Sequence, residues 1–181
     1  VLEPFQTEDT IERQIEELRL ILKKKGKPPV ILIGHSWGAW LSYIFAANNK
    51  NYVRKLILIG SGPFKNKYVS KMNKMRLNRL NNSEKARLRE IQNTLFNENI
   101  ESNKELFGEF GKIMSQIDLY DPINLKQEII EFQPKIYKNI MKEAKKLRKS
   151  GKLLNLGRHI KCSVVAIHGD YAPHPYQGVK G

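Results

Sequence analysis

The spacing of apolar residues changes period along this chain. Ile11, Ile15, Leu18 and Leu22 recur every three or four positions, which predicts a helix over about 9–25 with one buried stripe, capped by Thr7 or Asp9. Gly26 ends it and Pro28-Pro29 forbid its continuation. Residues 30–33 (VILI) are apolar without alternation, the pattern of an interior strand of a parallel sheet, buried on both faces. Helical spacing returns over about 37–48, with Trp40, Leu41, Ile44 and Phe45 facing inward and Asn48-Asn49 closing the segment. A second interior strand is expected at 53–59, running into Gly60-Ser61-Gly62-Pro63. Ahead of all these, residues 1–6 read as a strand end followed by a loop.

From residue 64 to about 161 the strand pattern disappears. Helices are expected near 83–96, 102–117 and 133–150. Ser102 with Glu105 has the spacing of a capping box, and Leu106, Phe110, Ile113 and Ile117 form a stripe. Ile136, Ile140, Ala144 and Leu147 line the third helix, and Gly151 is placed to end it. Asp121-Pro122 marks a turn between them. Residues 162–167 (CSVVAI) read as a third buried strand, followed by His168-Gly169-Asp170-Tyr171-Ala172-Pro173-His174-Pro175. Strand, helix and strand make a right-handed βαβ unit whose working edge lies at the strands' carboxyl ends. A long helical insert on that side reads as a lid, or as a plain helical subdomain without a gating role. The expected organisation is a core from residues 1–63 and 162–181, with a lid from 64–161. Leu95, Phe96, Phe107 and Phe110 are candidates for pocket walls or for lid core.

The chemistry sits where the first strand meets the next helix, at Gly34-His35-Ser36-Trp37-Gly38. G-x-S-x-G is the spacing of a nucleophile elbow. A serine on so sharp a turn has φ > 0, and the residues two before and two after it approach so closely that glycine is needed. Its Oγ is then exposed beside the first N–H groups of a helix. Three fixed positions match by chance in roughly one chain in sixteen of this length, so the flanking strand and helix carry the argument. His35, one residue away, points off Oγ and is read as packing.

Composition narrows the field. The formal net charge is +14, and most of the excess, 22 Lys/Arg against 11 Asp/Glu, lies in residues 64–161. These basic residues are spread over several helices with no aromatic interleaving, so a solvated surface is expected rather than a nucleic-acid site. The single Cys162 excludes an internal disulfide and fits a reducing, cytoplasmic compartment as a buried structural thiol. No apolar run reaches membrane-spanning length and none resembles a signal peptide.

With this elbow, a helical insert and a late strand ending in His-Gly-Asp, the chain resembles the α/β-hydrolase superfamily, above all its lidded lipase, esterase and peptidase-like members. The resemblance implies a parallel sheet with the lid inserted after the strand that follows the nucleophile helix. It implies Ser36 as nucleophile and the Trp37 backbone N–H as half of an oxyanion hole, with the Trp37 side chain a candidate wall of the acyl pocket. It also implies an acid four residues after the histidine of H-G-D-x-D, a position held here by Ala172. Asp170, two residues earlier and facing the same side of an extended segment, is the candidate substitute. The family's histidine lies well beyond the acid, and His159, His168 and His174 all fall outside its slot. The family's early strands and second oxyanion loop would precede Val1. A partial sequence of an intact hydrolase is therefore expected, whose visible strands expose apolar edges.

The expected function is acyl transfer to Ser36 and hydrolysis of a small ester, amide or related carbonyl compound, without metal or organic cofactor. The 181 residues themselves are expected to be nearly inactive. Other chemistries of this fold, a non-catalytic ligand-binding relative and a basic nucleic-acid binder stand as alternatives. Oligomeric state is open.

Overall fold

The computed structural model describes residues 1–96, 104–121 and 133–179. Its elements in chain order are α1 (Ile11–Lys25), β1 (Val30–His35), α2 (Trp37–Asn48), β2 (Val53–Ile59), α3 (Val69–Leu77), α4 (Asn82–Phe96), α5 (Lys104–Asp118), α6 (Pro134–Lys149), α7 (Lys152–Asn155) and β3 (Ser163–Ile167). The strands form a parallel sheet of order β1-β2-β3, in register at their carboxyl ends: His35 stands opposite Ile59, and Ile59 opposite Ile167.

Several local expectations needed correction. Residues 1–6 form no strand. The cap of α1 is Thr10, whose hydroxyl accepts from Arg13 N–H at 3.2 Å, rather than Thr7 or Asp9. Sequence spacing missed α3, which carries almost no apolar stripe, and the four-residue α7. Gly151 follows α6 at φ 73, the left-handed conformation expected of a helix-ending glycine. The Ser102 cap lies outside the described residues.

The larger correction concerns burial. β1 and β3 are the two edges of the described sheet, not interior strands. α2 covers one face, where Leu56 and Leu58 are buried against Trp40, Tyr43, Ile44 and Phe45. The other face carries Ile31, Ile33, Val165 and Ile167, which are 45%, 61%, 39% and 50% exposed. Every residue of β3 is exposed, so 162–167 is a strand but not a buried one. An unbroken apolar run does not reveal which neighbours a strand will have.

The core divides into two clusters. One joins the sheet to α1, α2 and the carboxyl half of α6 through Ala144 and Leu147. The other lies within the insert: Leu80, Leu88, Ile91, Leu95, Phe107, Phe110 and Ile117, with Tyr137 of α6 against them. Leu95, Phe107 and Phe110 are thus core residues rather than pocket walls. α2 is apolar all round and is buried continuously from Ala39 to Ala47, more completely than a single stripe implies.

Candidate active site

β1 ends in the tight turn its glycines anticipate. Ser36 has φ 52 and ψ −113, and among the described residues it alone has positive φ without being glycine. Such a conformation costs a non-glycine residue on the order of 1–3 kcal/mol and persists only where the surroundings impose it. Here they do. Ser36 N–H donates to Ile59 O at 3.0 Å, extending the β1–β2 ladder by one bond. Its carbonyl accepts from Ala39 N–H at 3.2 Å, opening α2. The side chain is exposed at the carboxyl edge of the sheet.

The two glycines of the motif serve different ends. A Cβ on Gly34 would lie 2.5 Å from the Gly38 carbonyl carbon, closer still to its oxygen, and 2.6 Å from Ser42 Oγ. A Cβ on Gly38 would meet nothing within 4 Å. The close approach is therefore one-sided: Gly34 is needed so that the Gly38 backbone can sit against it.

Trp37 opens α2, so its backbone N–H has no partner within the helix. Its indole nitrogen is committed to a partner on α1. Trp37 Nε1–H donates to Gln14 Oε1 at 3.0 Å, and Gln14 Nε2 donates to Glu8 O at 2.8 Å. Gln14 is 1% exposed, a buried amide with both ends satisfied. Behind Trp37 lies Trp40, with ring centroids 6.2 Å apart; Trp40 Nε1–H donates to Gly62 O at 3.0 Å, and the Arg148 guanidinium stands 5.4 Å from its ring. His35 is exposed and lies near Gly60, where an added Cβ would stand 3.5 Å from its ring, in keeping with a packing role.

The loop after β3 faces a cavity of about 650 Å³, lined by Lys71, Met75, His168, Asp170, Ala172 and His174 among others. Ala172 N–H donates to Gly169 O at 3.0 Å, closing a turn in this loop. Asp170 is exposed, and among the described residues no histidine hydrogen-bonds its carboxylate.

His35, His168 and His174 gather at the sheet's carboxyl end, and the first two act electrostatically on the third. His174 Nε2 lies 3.1 Å from Arg76 Nη2. A guanidinium only donates, so this nitrogen is the bare acceptor of a neutral ring. Burial, and then the Arg76 charge, push its pKa down to about 4, against an opposing pull from Asp118. His168 Nδ1 stands 3.2 Å from His174 O; a carbonyl only accepts, so Nδ1 carries the proton. His168 Nε2 is buried without a hydrogen-bond partner among the described residues. His159 is exposed before β3.

Sequence reading missed what fastens this loop to the insert. Arg76 and Asp118 form a two-bond ion pair at 2.6 and 2.8 Å. Arg79 donates to Ile117 O at 2.8 Å, to Leu119 O at 3.2 Å and to Tyr171 O. Tyr120 and Tyr171 stack at 4.2 Å, 12° from parallel. No local motif signals partners 42 and 98 positions apart along the chain. The half-buried Cys162 has its pKa raised by burial and stays a thiol. Among the described residues no His/Cys/Asp/Glu group of three could hold a metal, and no helix is long and apolar enough to cross a membrane.

A parallel sheet whose strand turns through a positive-φ serine into a buried helix, with a helical insert before the last strand, is the architecture of the α/β hydrolases. The family model for the alpha/beta hydrolase fold matches residues 5–139, and the chain belongs to that family. No curated protein matches it in sequence. Among solved structures it is similar to a lipase candidate from Acinetobacter baumannii, at 13% identity and a TM-score of 0.39. That match covers 92% of this chain and 62% of the other, so the chain spans less than two thirds of that structure's length.

Proposed function

We propose that Ser36 is the nucleophile of a serine hydrolase acting on a small ester, amide or related carbonyl substrate. The observation that carries the reading is the exposed, positive-φ serine held at a strand end by the Gly34–Gly38 contact. In this reading Ser36 Oγ attacks the carbonyl carbon as a general base takes its proton, the negative charge developing on the carbonyl oxygen meets the Trp37 N–H, and the leaving group departs with that proton as the acyl-enzyme forms. Water, losing a proton to the same base, then attacks the acyl carbon, and Ser36 Oγ leaves with that proton. Residues 64–161 act as the lid over a core of 1–63 and 162–181, and the substrate sits beneath them.

The base is not one of the described histidines. His174 offers its free nitrogen to Arg76, His168 is tied to the His174 carbonyl, and His159 precedes β3 rather than following it. Asp170 stands in for the acid at Ala172 when an imidazole reaches it. Residues 1–181 alone therefore turn over an activated ester far more slowly than a complete triad; removing the histidine of such a triad costs on the order of 10⁶ in turnover. Mass spectrometry after prolonged incubation with a fluorophosphonate in buffer containing imidazole, which supplies the base these residues lack, tests the nucleophile directly. The adduct is expected on Ser36 and is lost in Ser36→Ala; labelling elsewhere, or none, overturns the assignment.

Ala172 favours a second reading, in which the same pocket holds a ligand without turnover. That reading gains if a non-hydrolysable ester analogue binds while Ser36 stays unlabelled. The reducing compartment suggested by a lone thiol, and the absence of a nucleic-acid role, belong to the same proposal.

A further inference from the structure

We infer that Gln14, 22 residues ahead of Ser36 and on another helix, is a positioning residue for the elbow. The inference rests on Ser36 being the nucleophile, and it concerns how that serine is held.

Gln14 is one of very few polar side chains in the core, 1% exposed on a helix whose stripe is otherwise apolar. A buried amide with an unmade hydrogen bond is costly, so its two bonds fix its orientation. Nε2 donates to Glu8 O at 2.8 Å, which leaves Oε1 to accept from Trp37 Nε1–H at 3.0 Å. That indole belongs to the residue after Ser36, whose backbone N–H is the candidate oxyanion donor. Ser36 itself has no side-chain capping bond to the helix it opens, so nothing of its own side chain holds the turn. The peptide joining Ser36 to Trp37 is held by the ladder bond from Ser36 N–H to Ile59 O, by its own carbonyl accepting from Ala39 N–H, and, through the Trp37 side chain, by the indole on Gln14.

Without that acceptor the indole N–H is left unpaired, and Trp37 reaches water only by swinging off α1. The released peptide then relaxes away from positive φ. Both the exposure of Oγ and the direction of the Trp37 N–H change, and small misplacements at a reacting centre carry large rate penalties. Gln14 touches neither substrate nor Oγ; it acts through Trp37.

The test compares Gln14→Met, Gln14→Glu and Trp37→Phe with the unaltered chain. Leu88→Ala, a cavity in the insert cluster away from the elbow, is the control for lost stability. The first readout is the rate of fluorophosphonate labelling at Ser36 with imidazole supplied as base, and the second is the Ser36 ¹³Cα chemical shift, which reports φ and ψ. In Gln14→Met, labelling is expected to slow by about tenfold or more, with a moved Ser36 shift, while Leu88→Ala leaves both unchanged. Gln14→Glu keeps an acceptor for Trp37 Nε1–H in either protonation state, so it is expected to label faster than Gln14→Met.

Equal labelling rates and an unmoved Ser36 shift in Gln14→Met overturn the inference. So does an equal loss in Leu88→Ala, or a Gln14→Glu variant that labels no faster than Gln14→Met. If even the unaltered chain is not labelled, the nucleophile assignment fails on its own. The shift then decides for Gln14: moved in Gln14→Met, it supports the positioning role, and unmoved, it overturns it.

Discussion

At the scale of single residues, the elbow's two glycines separate into one that the backbone requires and one that it tolerates. Gly34→Ala forces a methyl into the Gly38 carbonyl and should destabilise the chain by about 3 kcal/mol. Gly38→Ala, in open space within the first turn of α2, should be neutral or stabilise by up to about 1 kcal/mol. Urea unfolding of the pair checks the asymmetry, and equal losses would contradict it. His174 makes a second prediction. Its folded pKa of about 4 lies below its ordinary 6.5, so the folded state resists a proton that the unfolded chain accepts. The contribution is complete above pH 6.5 and is lost as pH falls toward 4, on the order of 2–3 kcal/mol. Denaturation midpoints between pH 7 and 4 should show this slope, and His174→Gln should flatten it.

At the scale of elements, the loop after β3 is fastened to α3 and to α5 with the residues just beyond it. Arg76 is 17% and Asp118 30% exposed, dry enough for a paired geometry to matter. Arg76→Ala strands Asp118 and frees His174, and is expected to cost about 2–3 kcal/mol. It should also raise the His174 pKa, since Arg76 lowers it; titration of that histidine by NMR reads the shift, and an unmoved value would disprove the coupling. This fastening marks the boundary of what the sequence made legible. The elbow, the βαβ unit and the principal helices were readable because each is written in neighbouring residues: Gly34 and Gly38 around Ser36, the stripe Ile11 to Leu22, the stripe Ile136 to Leu147. The arginine clamp and the Gln14–Trp37 bond were not, because each joins polar residues whose positions mean nothing until the helices have packed.

At the scale of the whole molecule, the main surprise was the open sheet face. Ile31, Ile33, Val165 and Ile167 are apolar and exposed side by side, a surface prone to self-association. Ile33→Lys should reduce concentration-dependent light scattering while changing stability by less than about 0.5 kcal/mol, since the side chain is already 61% exposed. Unchanged scattering would show that the face is not adhesive. α6 has a different reach. Tyr137 near its start is seated in the insert cluster, and Ala144 and Leu147 near its end are seated in the sheet cluster. A rod lodged in both cores lets neither melt alone, so calorimetry should record one heat-absorption peak rather than two. Under the proposed lid role, α6 is the fixed axle about which α3 to α5 would swing, and the axle itself stays with the sheet.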